Sequence, residues 1–283
     1  EIGVRLVGSE MCIRDSHKHM NITAQLHTAI EAALKAGERI LEIYHNEDFD
    51  VDFKSDDSPL TKADTASHHI IMSYLGKTGI PVLSEEGKGI AYETRKDWEY
   101  LWIVDPIDGT KEFIKKNGEF TVNIALIQDG VPILGVIYVP VLQELFYAAK
   151  GLGSFKAVDV AVTAAVDAIL NTGKQLPLAL QKEQYTAVAS KSHLSPETVE
   201  YIKTLEAEHG EVATISKGSS LKLCMVAEGQ ADCYPRFAPT MEWDTAAGSA
   251  ICKYAGKQVV DWETKEEMLY NREQLLNNWF LVL

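Results

Sequence analysis

The chain has 283 residues, 46% of them apolar, which is enough for one large core or two moderate ones. Its formal net charge of −14 repels nucleic acid polymers and anionic lipid, so a phosphate-bearing ligand needs a local cationic site. No apolar run approaches the roughly 18 residues of a transmembrane segment, and Cys12, Cys224, Cys233 and Cys252 form no CxxC pair or zinc-like spacing, which points to reduced thiols in a cytoplasmic protein.

The opening stretch, EIGVRLVGSEMCIRDS, has no helical or strand period and no signal-peptide core. It resembles a translated sequencing adapter, so residues 1–19 are set aside as a non-native leader, with Met20 the expected start. Leu26, Ile30, Leu34, Ile40, Leu41 and Tyr44 then recur at helical spacing, which predicts an amphipathic helix over 22–45. DDSPLTKAD reads as a polar loop, with a second helix from Asp64 whose apolar face holds Ile70, Ile71, Tyr74 and Leu75. IPVLS and YLWIV are short buried strands that end on Glu85-Glu86 and on Asp105.

From Phe120 the pattern changes. FTVNIALIQDGVPILGVIYVP is two strand-like runs joined at Asp129-Gly130, a hairpin signal, and ELFYAAKGLGSF repeats the idea around Gly151 and Gly153. An antiparallel meander follows from both. Residues 157–182 carry no motif and receive no role. Beyond them strands and helices alternate: YTAVAS, PETVEYIKTLEAEHG, EVATIS, SSLKLCMVAEG, DCYPRF, WDTAAGSAICKYAG, KQVVDW and WFLVL. The expected division is an N-terminal α+β half over 20–156 and a C-terminal α/β half over 157–283.

The acids that end apolar runs carry the chemistry. In WIVDPIDGTKEF, Pro106 biases Asp105 toward an extended backbone, Asp108-Gly109 is a turn, and Thr110 can start a helix whose free N–H groups would face an anion. A plain strand, turn and N-cap fit the same residues. Glu85 and Glu86 repel each other, which a cation would relieve, although a solvated loop also accounts for them. Asp244 opens a helix of small residues and can act as an N-cap, a ligand or both. Four acids at the ends of three apolar runs could share one cleft. Ligands that are all oxygen favour a hard cation such as Mg2+.

DPIDGTKEF, SEEG and WDTAAG, in this order, resemble the inositol monophosphatase superfamily of Mg2+-dependent, lithium-sensitive phosphatases. The resemblance runs from about residue 26 to the C-terminus. It implies an α+β fold, a layered αβαβα sandwich of the inositol monophosphatase/fructose-bisphosphatase type. Within the superfamily, DGTKEF with NGEFTVNIAL, SKSH, GSSLK and YPRF is similar to the 3'(2'),5'-bisphosphate nucleotidases. The implied reaction is hydrolysis of the 3'-phosphate of adenosine 3',5'-bisphosphate, or of its 5'-phosphosulfate analogue, to release phosphate, giving AMP from the bisphosphate. A metal-activated water would attack in line, in sulfate assimilation and nucleotide recycling.

By that resemblance Glu85, Asp105 and the carbonyl of Ile107 would hold one Mg2+, and Asp105, Asp108 and Asp244 a second. Glu85 would also touch a third, weakly bound ion through waters, while Glu86 is given no firm role. Asp64 and Thr110 would pair, orient the attacking water and take its proton. The scissile phosphate would lie on Gly109 and Thr110, and His193, Ser219, Lys222 and Arg236 would hold the nucleotide. Without the resemblance, Asp64 reads as a helix cap, Thr110 as a solvent-facing hydroxyl, and the last four as surface or cap residues. The competing functions are an inositol- or sugar-phosphate phosphatase with the same metals and a catalytically silent nucleotide sensor. The expected location is cytoplasmic, with a peripheral position at the inner membrane face left open.

Overall fold

The computed structural model describes residues 20–46, 58–190 and 194–283. The leader assigned to residues 1–19 lies outside the described residues, as does His193. The first helix, α1 (Ile22–Asn46), follows the predicted face: Leu26, Ile30, Leu34 and Ile40 are buried. The second, α2 (Pro59–Leu75), starts five residues before the expected Asp64. The Ser58 side chain accepts the Thr61 N–H and Pro59 fills the first turn, so the loop proline is a helix start. Asp64 therefore stands inside the helix and does not cap it.

The meander is the centre of the fold. Strands β1 (Val82–Ser84) and β2 (Tyr100–Asp108) flank a short helix, α3 (Tyr92–Arg95). Helix α4 (Thr110–Lys115) and β3 (Thr121–Gln128) follow, then β4 (Val131–Val139), β5 (Glu144–Ala149) and β6 (Gly153–Ala157). The stretch left unassigned holds a short helix, α5 (Val166–Thr172), and β7 (Lys174–Gln175). These seven strands form one sheet in chain order, with β1 parallel to β2 and the remaining pairs antiparallel. The predicted Asp129-Gly130 turn has both residues at positive φ, 48° and 80°, as a two-residue hairpin turn requires.

The C-terminal part contributes β8 (Thr186–Val188), α6 (Pro196–His209), β9 (Ala213–Ile215), α7 (Leu221–Glu228) and β10 (Tyr234–Arg236). It closes with α8 (Glu242–Tyr254), β11 (Val259–Asp261) and β12 (Phe280–Val282). Strands β8 and β9 pair in parallel, and β10, β12 and β11 form a small antiparallel sheet. The layers run α1/α2, large sheet, α7/α8, small sheets, α6. This is the α+β sandwich expected.

Because the large sheet is covered on both faces, its strands are apolar at nearly every position. Trp102, Val104, Ile124 and Leu126 pack toward α1 and α2. Leu101, Ile103, Ala125 and Ile127 pack toward α7 and α8. Strand alternation thus makes the odd-numbered face of β2 the one that meets α8. The small residues of α8 let it approach closely: a Cβ at Gly135 of β4 would collide with the Ala247 carbonyl.

Candidate active site

Two residues that are three apart in a regular strand point to opposite faces. Asp105 and Asp108 do not. Asp105 is opposite Asn123 and Asp108 opposite Thr121, so β2 carries one extra residue between them. That bulge puts both carboxylates on one side. Ile107 packs its side chain into the core beside α1 and α2 yet borders the cleft, which leaves its backbone as the part that faces the cavity.

Asp244 arrives from α8. The helix begins at Glu242, with Met241 as its cap, so Asp244 is its third residue and not its first. One Asp244 oxygen accepts the Met241 N–H at 2.8 Å. The helix start is anchored from behind: buried Glu242 accepts the N–H groups of Asn271 and Arg272 at 2.8 and 3.0 Å. Buried Arg95 donates in turn to the Asn271 side chain and the Arg272 carbonyl, both at 2.8 Å. Sequence reasoning passed over this brace because its members are far apart in the chain.

Carboxylate oxygens of Asp105, Asp108 and Asp244 lie within 4.8 Å of one another. They line a cavity of about 400 Å³ together with Glu85, Ile107, Gly109, Thr110, Ser219, Lys222 and Arg236. Nearly all the predicted residues that are described therefore meet in one place. Asp64 is within electrostatic reach of Glu85 and Glu86 but is not itself among the residues that line the cavity. The expected hydrogen bond between Asp64 and Thr110 is not made: Asp64 sits in the second turn of α2, while Thr110 is exposed at the start of α4. Glu86 is exposed and does not line the cavity.

The acids are held in a costly arrangement. Burial raises the Asp105 pKa well above the carboxylate range, and Asp108, Glu85 and Asp244 raise it further. Asp108 is pushed up to about 8 by burial and then by Asp244, against the pull of Lys222. Asp64 is pushed to about 8 by burial, then by Glu86 and Glu85. Burial also raises Glu85 and Asp244. One buried oxygen each of Asp105 and Asp64 has no hydrogen-bond partner in the protein. Carboxylates with buried, unpartnered oxygens, and no His or Cys among the described lining residues, fit a hard divalent cation, which would invert the local charge.

Beside this acidic floor the cavity carries a cationic wall, Lys222 and Arg236, close enough to Asp108 and Asp244 to act on their charge. Lys222 is in the first turn of α7, where burial lowers its pKa while Asp108 raises it and Arg236 lowers it. Arg236 ends β10; its Nη2 donates to the Pro239 carbonyl at 3.2 Å, and its buried Nε has no partner. Ser219 borders the cavity at φ 50°, but its hydroxyl donates to the Glu119 carbonyl at 2.7 Å. Its expected donation to a phosphate is thus already committed inside the protein. Gly109 has φ 101°, and a Cβ there would press on Ser219 and on the Phe120 backbone. Several lining residues escaped sequence reasoning, Glu112 and Tyr234 among them. Glu112 lies two positions past Thr110, and Tyr234 is two residues before Arg236 in YPRF.

The Inositol monophosphatase family model matches residues 22–281. The chain belongs to the inositol monophosphatase family, which is metal-dependent. Within the family it is similar to 3'(2'),5'-bisphosphate nucleotidase CysQ of Salmonella typhimurium. The two are 45% identical over 260 residues, covering 91% of this chain and 98% of that protein. CysQ of Escherichia coli strain K12 is 45% identical over 255 residues, 89% of this chain and 96% of its own length. The crystal structure of CysQ from Bacteroides thetaiotaomicron, described as a bacterial member of the inositol monophosphatase family, matches with a TM-score of 0.87. Identity there is 52%, over 93% of this chain and 97% of that one. Among the described residues no helix is long and apolar enough to cross a membrane.

Proposed function

We propose that the protein is a Mg2+-dependent 3'(2'),5'-bisphosphate nucleotidase. It removes the 3'-phosphate of adenosine 3',5'-bisphosphate, leaving AMP, and serves sulfate assimilation and nucleotide recycling. The observation that carries the reading is that three carboxylates within 4.8 Å of one another share one cavity lining with Lys222 and Arg236. A ligand with two phosphates suits a cavity that offers both a metal site and cationic side chains. Tyr234 and Phe280 add aromatic lining. The similarity to CysQ proteins supports the same substrate class.

Asp105, Asp108 and Asp244 would hold one ion, and Glu85, Asp105 and the Ile107 carbonyl a second, with Glu85 reaching toward a third. When bound, such ions neutralise phosphate charge and lower the pKa of coordinated water. The chain supplies the rest. Gly109 and Thr110 meet the scissile phosphate with backbone N–H groups, and Lys222 and Arg236 hold the second phosphate through charge-assisted hydrogen bonds. Asp64 is the proton acceptor: its unpartnered oxygen and raised pKa suit a general base. Thr110, which lines the cavity, would relay the proton to it.

The test is phosphate release from adenosine 3',5'-bisphosphate and from inositol 1-phosphate, each with Mg2+ and with a chelator. The nucleotide should be turned over faster, with activity lost to the chelator and restored by Mg2+. Preference for inositol phosphate would transfer the reading to that substrate, and tight nucleotide binding without turnover in saturating Mg2+ would make the protein a sensor.

A further inference from the structure

Asp64, Ser67 and His68 are spaced i, i+3, i+4, so they share one face of α2. Asp64 has a role in the proposed reaction; the other two have none. Ser67 is fully buried, and its hydroxyl donates to the carbonyl of Pro106 at 2.9 Å, across 39 residues of chain. Pro106 lies inside the β2 bulge between Asp105 and Asp108. A bulge residue loses its partner in the ladder, and a buried carbonyl without one is costly. Ser67 supplies that partner. His68 acts on the neighbouring strand: its Nδ1 is 2.9 Å from the hydroxyl of Ser84, the last residue of β1, and Glu85 follows directly. The Glu85 N–H is in turn bonded to the Val104 carbonyl at 3.1 Å. One helix face thus grips both strand ends that carry acids.

We propose that Ser67 is a positioning residue for the metal site. Its hydroxyl fixes the Pro106 peptide and so holds Asp105, the Ile107 backbone and Asp108 in one arrangement, while His68 steadies Glu85 through Ser84. The inference rests on the metal reading proposed above. Hydrogen-bond partners of ligand residues typically set metal affinity by about 10- to 100-fold. Pro106 has no N–H for the ladder and so favours a bulge at this point, and Ser67 holds the carbonyl of that same residue.

The test is Mn2+ binding, followed by the resonance signal of the free ion, on the full chain. Thermal midpoints are recorded in parallel to verify folding. Ser67→Ala removes only the hydroxyl and should weaken Mn2+ binding about 10-fold. The Mg2+ concentration for half-maximal turnover should rise in step. Ser67→Thr and Ser67→Val add the same bulk and differ in the hydroxyl, so Thr should bind Mn2+ about 10-fold more tightly than Val. Wild-type affinity in folded Ser67→Ala, or equal affinities in Thr and Val, would overturn the proposal. Asp105→Asn separates the two levels. If it loses Mn2+ while Ser67→Ala does not, the positioning role alone falls. If it too binds as wild type, the metal assignment fails and the positioning role with it.

Discussion

Asp105 and Asp108 stand at the end of a nine-residue strand buried on both faces, whereas Lys222 and Arg236 are carried by an eight-residue helix and a three-residue strand. The acidic floor has neighbours on every side: β3 beside it, α2 beneath it through Ser67, and α8 above it with Asp244. The cationic wall rests on shorter elements, with Arg236 paired to β12 and bonded to the Pro239 carbonyl. Such a division suits a phosphatase. Chemistry common to many phosphate esters needs a rigid set of oxygens, while substrate choice needs only a few charges that can differ between relatives.

If the floor does the chemistry, removing one of its ligands should cost nearly everything. Asp105→Asn should lower kcat by on the order of 1000-fold with any phosphate ester, since several kcal/mol of transition-state stabilisation are at stake and each 1.4 is tenfold. Activity near wild type in steady-state phosphate release would remove Asp105 from the site. If the wall selects substrates, its loss should be unequal. Lys222→Ala should reduce kcat/KM for adenosine 3',5'-bisphosphate by about 10- to 100-fold, the worth of one charge-assisted hydrogen bond. With inositol 1-phosphate the loss should stay within about threefold, because that substrate has no second phosphate to hold. An equal loss on both would end the division between floor and wall.

The smallest effect is on stability, and its sign follows from the acids. Asp64 and Asp108 have folded pKa values of about 8, above their ordinary range. Below about pH 4 they are protonated in folded and unfolded chains alike, and the stability linked to this is fully present. As pH rises toward 8 the unfolded chain ionises first, so the metal-free protein loses stability through that window. A bound cation removes the penalty. Thermal midpoints from pH 5 to 9 should show a gap between Mg2+ and chelator that widens with pH. A gap of constant size would mean that Asp108 does not meet the ion.

Much of this was legible in the sequence. The Asp129-Gly130 turn, the apolar runs and the acids at their ends placed the meander and the cleft, and the carboxylates converge as their motifs suggested. What escaped was set by contacts distant in sequence or by local backbone detail. The bulge that turns Asp105 and Asp108 to one face depends on register with β3, which a single strand does not encode. The start of α2 was missed because Asp64 is as good a cap by type as Ser58, and only the bond from Thr61 N–H decides between them. Ser67 and Glu242 look like ordinary polar helix residues until their partners, 39 and about 30 residues away, come into view. The Ser219 hydroxyl is spent on Glu119, a contact 100 residues distant.

The most direct measurement is anomalous diffraction from crystals soaked in Mn2+. The account predicts a strong peak bounded by the carboxylates of Asp105, Asp108 and Asp244, with a second near Glu85 and the Ile107 carbonyl. Soaked crystals with no peak between those three carboxylates, or with the ion bound only elsewhere, would contradict it.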